Sequence, residues 1–239
     1  MKVEIWSDFV CPYCYIGQKA FQRALENFEH REYVTIQYRC FQLDPDAEVH
    51  NERSVIELLM DKLQLPKERT LSKMAAIAEM GSKYDVQIHL DKINHTNTFE
   101  AHRLVKLAET YGKDSKVVEQ LFETYFSQLE NIGLEEVLIN IAEASAIENE
   151  HVVRLLNCRK YTNAVKEDQL VAEEMGVEGV PFFVFNEVHA VAGAQSEEVF
   201  LKVLQQIWDE ENAEKVKLDK NAPVCATTYC DGDTCYGKE

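Results

Sequence analysis

Cys11-Pro12-Tyr13-Cys14 restricts this chain more than any other segment. It follows an apolar-rich stretch, Lys2-Val3-Glu4-Ile5-Trp6, and precedes a helical pattern from about Ile16 to Phe28. Two thiols three positions apart at a strand-to-helix junction can close a disulfide with little backbone movement. The helix N-terminus presents unpaired N–H groups and the positive end of the macrodipole, both of which favour a thiolate on Cys11. A thiolate is the nucleophile of thiol–disulfide exchange, and Cys14, inside the first turn, is placed to resolve a mixed disulfide. The same spacing also serves half-sites for zinc and structural bridges. Zinc needs a second ligand pair. The next cysteine is Cys40, and no His or Cys pair follows closely.

A second segment narrows the choice. Gly176-Val177-Glu178-Gly179-Val180-Pro181-Phe182-Phe183-Val184-Phe185-Asn186 reads as a glycine turn, a proline and an apolar strand. Proline lacks an N–H for the ladder, so it belongs at a strand start or edge. Val180-Pro181 is a candidate cis bond, since cis peptides are nearly confined to X-Pro. An ordinary trans proline opening a strand is the plain alternative.

Ser7 to Gly17 together with Gly179-Val180-Pro181-Phe182-Phe183 resembles the thioredoxin-like superfamily and, within it, the DsbA family. More narrowly the chain is similar to the FrnE-like branch, whose relatives include 2-hydroxychromene-2-carboxylate isomerases and kappa-class glutathione transferases. Phe41-Gln42-Leu43-Asp44-Pro45, Asn97 to Leu104 and Gly193-Ala194-Gln195 carry that narrower likeness, which spans residues 1 to about 208. The resemblance implies a thiol–disulfide oxidoreductase or isomerase with Cys11, Cys14 and Pro181 catalytic. Pro12, Tyr13, Val180, Asn97, His102 and Arg103 are then expected to meet substrate, the last three from above Cys11. It also implies protein or small-molecule thiols and disulfides as substrates, with glutathione a possible participant and no resident cofactor. Two rivals stand beside this reading. One is a glutathione-dependent isomerase or transferase, whose relatives commonly carry serine at the position of Cys11. The other is a non-enzymatic protease adaptor with a redox or zinc switch.

The expected fold is α/β: a thioredoxin-like fold with a large all-helical insertion between its βαβ and αββα halves. Val3–Trp6 and Tyr33–Phe41 read as strands around the helix ending at Phe28. Ala20, Phe21, Ala24, Leu25 and Phe28 share one face at three- and four-residue spacing. The N-terminal half covers 1–50 and the insertion 51–160. Within the insertion Ser54 is a cap, Pro66 opens a helix, and Val86-Gln87-Ile88 is the one strand signal. Residues 161–208 return to the sheet, with Gly176 as a helix C-cap. A hairpin around Glu187-Val188-His189 follows. Ser196 caps a last helix, whose buried face is read as Val199, Phe200, Val203, Leu204 and Ile207.

Residues 209–239 read as a charged linker or frayed helix end and a tail carrying three of the seven cysteines. The favoured reading of the tail is an auxiliary dithiol, Cys225 and Cys230, which resembles a pattern of FrnE-like tails. Zinc binding through Cys225, Cys230 and Cys235, or no defined chemistry, are the others. Cys40 and Cys158 are read as buried packing cysteines. His95 and His102, seven apart, would share a helix face if the helix starts that early.

Net charge is −17, from 25 basic and 42 acidic residues. That argues against nucleic acid and anionic membranes as partners, which need a basic footprint. The N-terminus has an acidic residue at position 4 and no apolar core of a signal peptide, so a cytoplasmic location is expected. No metal site outside the tail is indicated. Monomer and homodimer both stay open.

Overall fold

The computed structural model describes residues 1–51 and 53–220, with side chains to 213, and the backbone of 230–231 and 234–235. β1 (Lys2–Ser7) is central, since it alternates two apolar faces and both are buried. Val3 and Ile5 join the main core, whereas Trp6 turns to the other face, against Ala172, Val177 and Val184. α1 (Pro12–Glu26) leads to β2 (Thr35–Cys40), which pairs parallel to β1 with Ser7 opposite Cys40. β3 (Phe182–Phe185) lies antiparallel on the other side of β1, and β4 (His189–Ala192) closes the sheet in the order β2-β1-β3-β4. The β3–β4 turn places Asn186 and Glu187 at φ +50 and +62, which fits a tight hairpin twisted with its strands.

Six helices lie between β2 and the last α/β half: α2 (Val55–Leu63), α3 (Lys67–Ser82), α4 (Phe99–Glu109), α5 (Asp114–Phe126), α6 (Glu135–Ala144) and α7 (Asn149–Leu156). Ser54 caps α2 through a reciprocal capping box with Glu57. α4 is buried from Ala101 to Ala108 because α5, α6, α7 and α8 (Thr162–Glu174) pack around it, and Lys106 donates from it to Tyr38 O on β2. Val86-Gln87-Ile88 forms no strand. Val86 and Ile88 are buried in a connection beside Gly81, where apolar burial rather than ladder pairing uses the pattern. α8 ends before Gly176, which holds φ +72.

α9 (Glu197–Lys220) packs on α1 and stays helical across the charged stretch after residue 208. Phe200, Leu204 and Ile207 form its buried face, whereas Val199 is 38% exposed. The 200/204/207 spacing turns Val199 to the flank. One apolar core joins α1 and the sheet to α4–α7. Phe21 meets Phe183, Phe185 and Phe200 at ring-centroid distances of 5.6, 6.1 and 5.4 Å. The backbone of Cys230–Asp231 pairs with that of Thr234–Cys235. The auxiliary dithiol lies outside the described residues: Cys225 is not among them, and Cys230 is described only in its backbone.

Candidate active site

Cys11 is the N-cap of α1 and Pro12 its first residue. Proline suits that position because its missing N–H would have no helical partner. The Cys11 carbonyl accepts from the Cys14 N–H at 3.0 Å, and the Cys11 N–H donates to Asp8 O at 3.1 Å. This turn aims Cys11 toward the β3 side at 6% exposure and Cys14 inward at 1%. Both are free thiols.

The two sulfurs are driven apart in acidity. The Cys14 thiol, donating to Cys11, holds the Cys11 pKa below the ordinary thiol range. It outweighs burial and the Asp8 charge and is helped by the Cys14 and Tyr13 N–H groups. Burial pushes Cys14 well above that range, and the Cys11 charge adds to it. The Ser7 hydroxyl and Asp8 N–H, which meet the Cys14 sulfur, only partly oppose this. One turn thus holds a thiol suited to attack and a thiol that keeps its proton.

Val180 and Pro181 form the facing wall. Their peptide bond is cis. Protonated Cys11 donates to the Val180 carbonyl at 3.5 Å, within the range for a sulfur donor. Gly17 lets this wall close: a Cβ there would lie 3.0 Å from Pro181 Cγ and 3.4 Å from Ala194 Cα. Pro12 is partly exposed and Tyr13 is 42% exposed, so both stand at the mouth beside Cys11.

Of the three residues expected above Cys11, Asn97 and Arg103 make their hydrogen bonds within the chain and His102 is buried with its Nε2 unpartnered. Asn97 donates to Pro45 O and Ala47 O and accepts from Phe99 N, tying down the loop after β2. Arg103, 3% exposed, spends its guanidinium on Glu100 and on the carbonyls of Leu155, Cys158 and Lys160 at the end of α7. The guanidinium adds a charged donor to carbonyls in and just after the last turn of α7. His102 is buried at 2%, its ring tilted at 41° to Phe9 with centroids 4.8 Å apart, and it faces Asp8. His95 precedes α4 and bonds Asp44, so the two histidines share no helix face. Cys40 is buried as expected. Cys158 is exposed, because it falls in the turn after α7.

Ser7 and Asp8 belong to the site, although nothing in their local pattern assigns them chemistry. The available signal was a charged residue inside a run of buried positions, three residues before Cys11.

A thiol pair at a helix N-terminus, faced by a cis-proline wall on a β2-β1-β3-β4 sheet, defines a thioredoxin-like fold. The chain belongs to the DSBA-like thioredoxin domain family, which it matches over residues 2–205. It is 24% identical over 204 residues to YwbO, an uncharacterised protein of Bacillus subtilis, covering 84% of this chain and 94% of that one. A probable DsbA oxidoreductase of Streptomyces coelicolor superposes with a TM-score of 0.83 at 29% identity over the full length of both chains. A 2-hydroxychromene-2-carboxylate isomerase shares the fold, with a TM-score of 0.64 at 14% identity over 91% of this chain and 99% of that one.

Proposed function

We propose that this chain is a thiol–disulfide oxidoreductase in which Cys11 attacks and Cys14 resolves. The observation that carries the reading is geometric: Cys11 caps the start of α1 and faces the cis Val180-Pro181 bond, with Cys14 buried one turn further in. Cys11 thiolate attacks a substrate disulfide, forming a Cys11–substrate bond and releasing one substrate thiolate. Cys14 then attacks the Cys11 sulfur, which closes the internal disulfide and frees the second thiolate. The reverse sequence oxidises a substrate dithiol. Val180 and Pro181, beside the attacking sulfur, are the proposed docking edge for substrate backbone, with Pro12 and Tyr13 at the rim.

Cys14 favours this reading over a glutathione-dependent isomerase, which needs no resolving thiol. We place the substrates among protein or small-molecule thiols and disulfides, and the reaction in the cytoplasm.

The test is equilibration with glutathione redox buffers, with metal content measured on the same sample. A single two-electron transition that disappears in Cys11→Ser is expected, and its midpoint gives the direction of exchange. No transition, with about one zinc per chain, would replace the proposal by the switch reading.

A further inference from the structure

α8 buries Val165, Asp168 and Ala172 toward β2 and α4. At 3.6 residues per turn Glu167, Leu170, Val171 and Glu174 fall outside that stripe, and Met175 extends their face just past the helix. Leu170, Val171 and Met175 are 58%, 38% and 44% exposed. A single exposed apolar side chain needs no explanation, but three so close in one face make a patch.

The patch runs toward the active site. After Met175 the chain turns at Gly176 and reaches Val180, whose carbonyl accepts from Cys11 at 3.5 Å. Ala172 of α8 and Val177 belong to the small core beneath Trp6, and Val180 packs against the same cluster. The stretch from Met175 to Val180 spans at most about 18 Å, so a short polypeptide segment held at Cys11 can cover it.

Charge selects the occupant. Residues 167–178 carry Glu167, Glu173, Glu174 and Glu178, all exposed, and no Lys or Arg. Asp168, the other acid of the stretch, is buried and paired with Lys106 and Arg39. A second copy seated here would set carboxylates against carboxylates across a two-fold axis. An anionic lipid surface would be repelled in the same way. A polypeptide with apolar and basic side chains matches both features of the face.

We propose that the exposed face of α8 docks the part of a polypeptide substrate flanking the cysteine that Cys11 attacks, and that it favours apolar segments carrying Lys or Arg. This rests on the exchange reading above and narrows its substrates. The balance of the reaction is unchanged: two electrons from the Cys11–Cys14 dithiol reduce a peptide disulfide to two thiols, and the internal disulfide forms. Leu170, Val171, Met175, Glu174 and Glu178 set specificity away from the reacting sulfurs.

The test uses the full-length chain carrying Cys158→Ser, Cys225→Ser, Cys230→Ser and Cys235→Ser. Its probes are the disulfide-linked dimers of acetyl-Leu-Lys-Cys-Lys-Leu-amide and of acetyl-Leu-Glu-Cys-Glu-Leu-amide, and glutathione disulfide. Reactions are stopped in acid, released thiol is measured by chromatography, and each initial rate is divided by that with dithiothreitol to remove intrinsic reactivity. The lysine peptide is expected to react about tenfold or more faster than the glutamate peptide. Glu174→Gln with Glu178→Gln should bring that ratio to within about twofold, whereas attraction by the net charge of −17 as a whole would leave it nearly unchanged. Leu170→Ser, Val171→Ser and Met175→Ser together should slow both peptides about threefold or more and spare glutathione disulfide. Equal rates for the two peptides in the parent overturn the proposal, as does a ratio that survives the glutamine variants. Equal slowing of peptides and glutathione disulfide in the serine variant also overturns it, since that marks an effect on Cys11 itself. A parent dimer in sedimentation that the serine variant dissolves gives the face to a second copy and overturns it. A parent that neither reduces any of the three disulfides nor oxidises the corresponding thiols overturns the exchange reading, and this proposal with it.

Discussion

Cys11 and Cys14 differ only in what surrounds their sulfurs. The strongest influence on Cys11 is the Cys14 S–H itself. Cys14→Ala is therefore expected to raise the pH at which Cys11 ionises, and Cys14→Ser, which keeps a donor, to raise it less. Thiolate absorbance near 240 nm followed against pH checks this, and identical titrations in both variants would refute the hydrogen bond. The linkage follows in sign. Cys11 is depressed on folding, so its contribution to the stability of the reduced form is full above the free-thiol pKa of about 8.5 and is lost as pH falls through its folded value. Cys14 is raised, so above about 8.5 the unfolded chain loses a proton that the folded one keeps, and stability falls. The reduced form should thus gain on the oxidised form as pH rises toward that region and give the gain back beyond it. Urea unfolding of both forms across pH measures the difference. That Cys11 sits at a helix start and Cys14 inside its first turn was legible from their order. The roles of Ser7 and Asp8 were not, because they depend on where β1 ends relative to α1.

α1 sets the site because it is gripped from two sides, by Phe21 in the core and by Gly17 against Pro181. Gly17→Val is expected to overpack this contact and cost about 1–3 kcal/mol, with slower exchange. Gly17→Ala should be nearly neutral, since about 1 kcal/mol of helix propensity offsets the 3.0 Å approach. Urea denaturation of both variants checks the order, and equal stability would remove the close approach as a constraint. α2 is a contrast: none of its residues is buried, and its capping box is its clearest anchor. Ser54→Ala should cost about 0.5–2 kcal/mol locally. Faster amide exchange confined to α2, with Cys11 reactivity unchanged, is the expected result. These helices were legible because caps and 3.6-residue spacing are local signals. Val86–Ile88 misread as strand because a short apolar run is buried equally well in a connection.

At the scale of the molecule, one buried charge network ties the sheet to the helices on both sides. Asp168 on α8 accepts from Lys106 on α4 at 2.6 Å, from Arg39 on β2 at 2.8 Å and from the Cys40 N–H at 2.9 Å, and Arg39 also pairs with Glu4 on β1. Burial pushes Asp168 and Glu4 up, but Lys106 and Arg39 with their hydrogen bonds hold Asp168 below the usual carboxylate range, as Arg39 and Lys2 do for Glu4. Asp168→Ala leaves two cations without their shared partner and should cost about 3–5 kcal/mol. Because both carboxylates are depressed, their contribution is full above about pH 4 and is lost as pH falls through the folded values. The stability gap between the parent and Asp168→Ala should therefore shrink in acid. Urea midpoints at neutral and acid pH test this, and a gap independent of pH would mean the carboxylate's charge contributes little.

The thiol pair at a helix start, the proline that faces it and the order of strands and helices could be read from the chain alone. Each is written in neighbouring residues, as spacing, caps or backbone restriction. What the long-range side chains do came from packing. Arg103 caps the end of α7, Asn97 ties a loop, and His102 meets Asp8 across 94 positions of chain. A buried polar group must find partners wherever the fold brings them, and that choice is made by packing between segments, which no local pattern records.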